Sequence, residues 1–166
     1  MFVFETNYGA FTVELDQDKV PKTCENFIDY IRSGFYDNTL FHRVISGFVI
    51  QGGGFSPDMV QKKTSSPIEN EADLGERNLR GTLSMARTSD PHSATSQFFI
   101  SLKDNDFLDF KSKDMAGWGY CVFGRVTSGM EVIDKIATVA TTMRDGHQDV
   151  PAEDVILHSV TDTQAE

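Results

Sequence analysis

The chain has 166 residues, 39% of them hydrophobic and 24% charged, which predicts a single domain over residues 1–166 with a substantial core and a loose tail at 162–166. Its net charge of −10, with no run of five basic residues, excludes the clustered Lys and Arg that nucleic-acid binding requires. No stretch of 18 apolar residues occurs and acidic residues come early, so we expect a cytoplasmic protein that does not bind membranes.

The N-terminal third predicts a hairpin followed by a helix. In "MFVFETNYGAFTVEL", apolar residues recur at every second position on both sides of an Asn-x-Gly turn, which is typical of a β-hairpin. Pro21 suits the first position of a helix and Gly34 its C-terminal end. Between them, residues at helical spacing form one apolar stripe: Cys24, Phe27, Ile28 and Ile31.

The rest of the chain predicts short strands separated by irregular segments. Two strands joined by a Ser-Gly turn are predicted for "LFHRVI" and "FVIQ", and further strands for "GTLSMAR", "SQFFISL", "YCVFGRV" and "DVILHSV". A second short helix is predicted for "GMEVIDKIATV", and residues 52–80 form a long polar connection. Strands dominate and do not alternate with helices. The fold class is therefore mainly β, and we predict a closed antiparallel barrel of about eight strands with two helices over its open ends.

Several kinds of chemistry have no support in the sequence. None of the four histidines pairs with another at i+3 or i+4, and no HExxH or Cys/His cluster occurs, so we expect no metal and no cofactor. The segment "QGGGF" is not followed by GK[ST], which excludes a phosphate-binding loop. Cys24 and Cys121 are predicted to be reduced, buried thiols, with a disulfide between them as the alternative.

The segment "FHRVISGFVIQGGGF" places one arginine, Arg43, among apolar and aromatic residues. Strand alternation puts Phe41, Arg43 and Ile45 on one face, and pairing with the next strand would bring Gln51 close to the guanidinium. On local sequence alone, an Arg43 that is exposed to solvent or engaged in an ion pair is an equal alternative. With a pKa above about 12, a guanidinium is neither acid nor base, but it donates hydrogen bonds in a fixed geometry. Rotation about a peptide bond to proline is a reaction that suits such a group, because no proton is transferred.

These motifs resemble the cyclophilin family of peptidyl-prolyl cis–trans isomerases. The likeness comprises "FHRVISGFVIQGGGF", "GTLSMAR", "SQFFI" and "VFGRV", in order across roughly residues 1–162. The segments "NDFLDF", "GWGYCVFG" and "HQDVPAEDVILHSV" are similar to the bacterial cytoplasmic branch. The resemblance implies an eight-stranded barrel with a filled interior and a substrate groove on its outer face. It also implies a monomeric isomerase that assists folding, acting without a covalent intermediate on proline-containing peptides and on unfolded or flexible protein segments.

The resemblance implies roles for individual residues by motif match. The catalytic arginine falls on Arg43 and its partner on Gln51, while Gln97 matches a groove residue that contacts substrate. Ala86 and Arg87 match a strand end whose backbone pairs with the residues before the proline. Three apolar residues match the proline-binding pocket: Phe48, Phe99 and Leu108.

Three further groove positions depart from the family pattern. Val49 replaces a methionine, Phe107 a tryptophan that many members carry, and Tyr120 a histidine. The single tryptophan, Trp118, lies in a later segment and does not replace the missing one. The resemblance therefore implies that proline binding is retained and that binding of the cyclic peptide cyclosporin is weakened.

Two other functions compete with catalysis. A non-catalytic module would use the same groove to bind proline-containing segments, and a lipocalin-like carrier would need a hollow barrel. The presence of Arg43, Gln51, Phe48 and Phe99 favours catalysis over the binding module. The abundance of Phe and Met favours a filled barrel over the carrier.

Overall fold

The computed structural model describes residues 1–163, and its main element is a nine-stranded antiparallel sheet in the order β3-β11-β1-β2-β8-β6-β7-β5-β4. A separate hairpin pairs β9 with β10. The strands in chain order are β1 (Phe2–Thr6), β2 (Gly9–Leu15), β3 (Thr39–Leu40), β4 (Arg43–Ile45), β5 (Val49–Gly52), β6 (Thr82–Met85), β7 (Phe98–Ser101), β8 (Val122–Ser128), β9 (Thr141–Arg144), β10 (His147–Pro151) and β11 (Ile156–Asp162). The sheet is curled, because β3 and β4 are separated by only two residues in the chain yet stand at opposite ends of the strand order.

The curled sheet corrects the prediction of a closed eight-stranded barrel. Its edge strands β3 and β4 share no ladder within residues 1–163, and the gap is bridged by hydrogen bonds from Leu40 N to Phe55 O (2.9 Å) and from Gly53 N to Leu40 O (3.4 Å). The predicted strand "LFHRVI" is split because the chain changes partner within it. Phe41 N donates to Val155 O, before β11, whereas Arg43 pairs with β5.

This split also corrects the predicted faces of the segment. Phe41 packs in the core with its ring centroid 5.9 Å from that of Phe98, and Val44 is buried there as well. Arg43 faces the outer surface, so the prediction that Phe41 and Arg43 share a face is wrong. Strand alternation fails here because residues 41–42 are not in a strand.

Both predicted helices are confirmed. Helix α1 (Pro21–Arg32) has Pro21 in its first turn and is followed by Gly34 with a positive φ of 74°, a conformation that glycine adopts without a steric penalty. It buries Cys24 and Phe27 against the sheet. Helix α2 (Met130–Ile136) buries two isoleucines at i and i+3, Ile133 and Ile136.

Aromatic side chains fill the inside of the curl. Phe98 lies at the centre, with its ring centroid 5.9 Å from Phe4, 5.6 Å from Phe27 and 5.7 Å from Tyr36. Edge-to-face contacts at these distances are favourable beyond the area they bury. A core filled in this way contradicts the carrier alternative, which required a hollow barrel. The surface outside β4, β5 and β7 is therefore the place to look for a site.

The C-terminal strand is longer than predicted. Asp162 pairs with Phe2 of β1, and Thr163 N donates to Met1 O (3.0 Å). Asp162 therefore belongs to the sheet rather than to the predicted loose tail, and residues 164–166 of that tail lie outside the described residues. Among the helices of residues 1–163, none has the length and apolar character needed to cross a membrane.

Candidate active site

A cavity of about 150 Å³ opens on the outer face of the curled sheet. We call it the apolar cavity, and it is lined by Arg43, Phe48, Val49, Gln51, Ala86, Arg87, Phe99, Leu108 and Tyr120. These are nine of the eleven residues to which the sequence assigned a site role. The other two, Gln97 and Phe107, lie outside the lining and contact it through a neighbour each.

The position of Arg43 follows from the ladder between β4 and β5. Arg43 stands opposite Gln51 in register, and its Nη1 donates to Gln51 Oε1 at 3.3 Å. The Gln51 Nε2 donates in turn to Gln97 Oε1 at 3.0 Å. Because Val44 and Ile50 point into the core, Arg43 and Gln51 point outward together. Arg43 forms no salt bridge in the part of the chain that the structure describes, so the ion-pair alternative is not realised there.

The apolar wall of the cavity is a small cluster separate from the main core. Val49, Phe99 and Leu108 are buried in it, and Phe48, Ala86 and Tyr120 pack against it. The rings of Phe99 and Tyr120 meet edge to face, with centroids 5.6 Å apart. The wall therefore offers a ring-sized apolar surface next to a cation.

Phe107 lies at the rim of the cavity. It belongs to a single 3-10 turn (Asp106–Leu108), is 58% exposed, and stacks on Phe48 with ring centroids 5.6 Å apart. An exposed aromatic pair of this kind is free to contact a ligand that extends beyond the cavity.

Arg87 connects the apolar cavity to its surroundings. Its guanidinium lies over the Tyr120 ring, with Cζ 4.3 Å from the centroid, and donates to Gly119 O (2.9 and 3.2 Å) and Thr88 O (2.9 Å). Tyr120 N donates to Leu108 O (2.8 Å). The ring of Tyr120 is therefore fixed from two sides.

A second, polar cavity of about 200 Å³ adjoins the first and shares three of its residues, Gln51, Ala86 and Arg87. Its remaining lining is polar and consists of Gln61, Thr88, Ser93, Thr95 and Gln97. Four of these, all except Gln97, were not predicted as site residues. A signal was present, since the long polar connection and the turn-rich "TSDPHSAT" are the kind of loops that carry function. Neither cavity is lined by a carboxylate.

The glycines after Gln51 make room for this arrangement. Gly53 has a φ of 88°, and a Cβ at Gly54 would lie 2.5 Å from Gln97 Cγ. A side chain at Gly54 would displace Gln97 from its hydrogen bond with Gln51. The run of three glycines thus allows backbone to pass directly under the hydrogen-bonded glutamines.

The titratable groups near the site are not arranged for proton transfer or metal binding. Burial, and to a lesser extent His147 and Arg43, lower the pKa of His42 to about 4. Cys24 and Cys121 are free and buried, as predicted, and burial raises the pKa of each thiol to about 12. Within residues 1–163 no three His, Cys, Asp or Glu side chains form a group that could hold a metal ion. The arrangement is suited to hydrogen-bond donation from a fixed cation beside an apolar cavity.

Comparison with known proteins identifies the family. Residues 1–162 match the family model described as cyclophilin type peptidyl-prolyl cis-trans isomerase/CLD. The chain is 60% identical over 161 residues to peptidyl-prolyl cis-trans isomerase B of Escherichia coli K12, which covers 97% of this chain and 98% of that protein. It is 59% identical over 154 residues to the isomerase cyp18 of Streptomyces antibioticus, with 93% of each chain covered.

A solved structure agrees with this result. The crystal structure of a cyclophilin type isomerase from Cryptosporidium parvum, determined in the presence of the dipeptide Ala-Pro, superposes with a TM-score of 0.81 at 30% identity and covers 96% of both chains. The fold, the sequence motifs and these relatives agree, and the chain belongs to the cyclophilin-type peptidyl-prolyl cis–trans isomerases.

Proposed function

We propose that the apolar cavity binds the proline ring of an X–Pro segment and that Arg43 catalyses rotation about the bond before it. The observation that carries this proposal is the Arg43 guanidinium, oriented by Gln51 at the edge of an apolar cavity of ring size. The C. parvum relative, whose structure was determined in the presence of Ala-Pro, supports a proline-containing ligand.

The energy that the site must supply is moderate. An X–Pro bond rotates over a barrier of about 20 kcal/mol, in tens of seconds. A turnover of about 10³ s⁻¹ corresponds to a barrier of about 13 kcal/mol, so the site must lower it by about 6 to 7. One well-placed donor in a water-poor site typically contributes about 3 to 4 kcal/mol. Arg43 therefore accounts for about half, and the apolar wall must supply the rest.

Arg43 favours the twisted state over the planar one. As the bond rotates, amide conjugation is lost and the proline nitrogen regains its lone pair. The guanidinium donates to that lone pair, or to the carbonyl oxygen of the proline, and either contact is stronger in the twisted state. Such differential binding is what accelerates a reaction.

The wall residues contribute by restraining the ring. Phe48, Phe99 and Leu108, with Val49 and Tyr120 beside them, restrain the proline so that the segment before it rotates. The apolar surroundings also disfavour the charge-separated planar amide.

The remaining site residues bind the peptide on either side of the proline. Ala86 N donates to Gln97 O at 3.0 Å, which ends the pairing of β6 with its neighbour, and the following Arg87 N donates no hydrogen bond in the described part of the chain. Arg87 is therefore available to pair with the backbone before the proline, as an added strand would. We assign Gln97 and Phe107 to further contacts with the peptide on the basis of their links to Gln51 and Phe48.

We further propose a monomer of one domain over residues 1–166 that acts in the cytoplasm on proline-containing peptides and on unfolded or flexible protein segments. The two free, buried thiols support a reducing compartment. The net charge of −10 gives no electrostatic reason for binding nucleic acid.

A refolding experiment tests the function. A protein whose slow refolding phase is limited by prolyl isomerisation should refold faster when this chain is added at a substoichiometric amount. Binding of proline peptides without any acceleration would instead favour the non-catalytic module.

A further inference from the structure

The walls of the apolar cavity are supported in two different ways. Val49 and Phe99 belong to β5 and β7 and are held by the sheet, in which Val49 pairs with Ser101 and Gln51 with Phe99. Leu108 and Tyr120 belong to no strand: Leu108 lies in the 3-10 turn, and Tyr120 precedes β8. The width of the cavity therefore depends on whatever fixes these two residues against the sheet.

Asn78 joins both of them. It is 1% exposed, and its Nδ2 lies 3.2 Å from Leu108 O, 3.3 Å from Tyr120 O and 3.1 Å from Asp109 Oδ1. Its Oδ1 accepts a hydrogen bond of 2.6 Å from Ser84 Oγ in β6. One buried side chain thus connects the turn and the segment before β8 to the sheet.

The main chain of Asn78 adds two further connections. Its N–H donates to Asp109 Oδ1 at 2.6 Å, and its carbonyl oxygen accepts from Asn105 N at 2.8 Å. Asn105 is fully buried and donates through Nδ2 to Phe48 O at 3.2 Å. Phe48 is therefore attached to Asn78 through a single intervening residue.

The sheet side of this network also reaches the cavity. Ser84, which donates to Asn78, stands in register opposite Phe99 on the neighbouring strand. The wall residues Phe48, Phe99, Leu108 and Tyr120 are thus each attached to Asn78, directly or through one residue. Asn78 itself does not line the cavity.

We propose that Asn78 is a positioning residue that sets the width of the apolar cavity and thereby its selectivity for the five-membered proline ring. Asn78 contacts no substrate and acts only through Leu108, Tyr120 and Phe48. The proposal rests on the function assigned to the cavity above. It goes further by stating what determines which imino acid the cavity accepts.

The test compares two peptides that differ only in ring size, one with proline and one with pipecolic acid, whose ring has six members. In Asn78→Ala the two carbonyl oxygens lose their donor and the wall relaxes outward. We expect kcat/KM for the proline peptide to fall about fivefold, mainly through KM. The ratio of kcat/KM for pipecolic acid to that for proline should rise about threefold.

Asn7→Ala is the matched control. Asn7 also bridges two backbone groups, donating to Asp154 O and accepting from Ile156 N, both at 2.8 Å, but it lies away from the groove. Each variant is measured well below its own unfolding temperature, so that loss of stability does not reach the readout. The ratio should be unchanged in Asn7→Ala.

A second variant guards against misfolding. Asn78→Ser keeps a buried hydrogen-bonding group, but its side chain is too short to reach both carbonyl oxygens, so the ratio should rise in the same direction. An unchanged ratio in the folded Asn78 variants would overturn the proposal while leaving the isomerase function intact. A wild-type chain that does not turn over the proline peptide would instead contradict the proposed function itself.

Discussion

Arg43 and Gln51 face each other across the β4–β5 ladder, and the Gln51 carboxamide accepts from Arg43 while donating to Gln97. The guanidinium is thus oriented by neutral amides rather than by a carboxylate. Its positive charge is not neutralised, and neither adjoining cavity is lined by an acidic residue. A donor that is both oriented and uncompensated is what stabilisation of a developing lone pair requires.

Removing the guanidinium should abolish most of the catalysis. We expect Arg43→Ala to lower kcat/KM for a proline peptide by about tenfold or more with folding intact, because the donor to the twisted imide is lost. Arg125→Ala is the control, since Arg125 is an exposed arginine paired with Glu14 at 3.3 Å. Turnover like that of the wild type in Arg43→Ala, measured with a peptide isomerisation assay, would refute the assigned role.

Gln51 should act through Arg43. Gln51→Leu has a similar size but no amide, so the guanidinium loses its acceptor and kcat/KM should fall by about three- to tenfold. In the Arg43→Ala background the same change should cost little, because there is no guanidinium left to orient. A double-mutant cycle measures this coupling. Strictly additive losses would show that Gln51 acts independently.

The activity should not depend on pH near neutrality. No carboxylate, histidine or cysteine lines the apolar cavity, and the pKa of the adjacent His42 is lowered to about 4. We therefore expect a flat profile of kcat/KM between about pH 6 and 9. A bell-shaped profile in that range would reveal an acid or base that these residues do not provide.

The stability should depend on pH through His42. Its ring packs on Phe55 with centroids 4.4 Å apart, it is 6% exposed, and its Nδ1 has no hydrogen-bond partner in residues 1–163. Because the folded pKa of about 4 lies below the unfolded value of 6.5, the unfolded state binds the proton more readily. The stabilisation is therefore fully present above pH 6.5 and is lost as the pH falls towards 4.

The size of this effect follows from the two pKa values. A shift from 6.5 to about 4 corresponds to about 3 kcal/mol at about 1.36 kcal/mol per pKa unit. Urea unfolding at pH 7 and pH 4 should show a loss larger by about that amount in the wild type than in His42→Phe. Carboxylates contribute equally to both proteins and cancel in this difference. Equal losses would mean that His42 does not titrate as a buried group.

Cyclosporin binding tests the rim of the cavity. Phe107 stands where many family members carry tryptophan, and it is exposed and stacked on Phe48. We expect weak binding by the wild type and a gain of about tenfold in Phe107→Trp, because the larger ring covers more of the ligand and adds an N–H donor. Calorimetric titration of both proteins measures the change. Equal affinities would show that the exposed ring takes no part in binding.

Patterns that depend on neighbouring residues could be interpreted from the sequence. The first hairpin, the apolar stripe of α1 with Pro21 at its start, and the short α2 were all predicted, because strand and helix periodicity are local properties. The hairpin of β9 and β10 was missed although its signal was local. Asp145 and Gly146, both with positive φ, are the typical turn residues of a two-residue hairpin loop.

The sequence by itself determined the strand-rich composition, both helices and a set of motifs specific enough to nominate Arg43 and Gln51. Only the tertiary structure decided where the chain changes partner between β3 and β4, that Gln97 meets Gln51 from 46 positions away, and that Asn78 connects Leu108 to Tyr120. The physical reason is that register and long-range hydrogen bonds depend on how the whole sheet curls around its aromatic core. No short stretch of sequence contains that information.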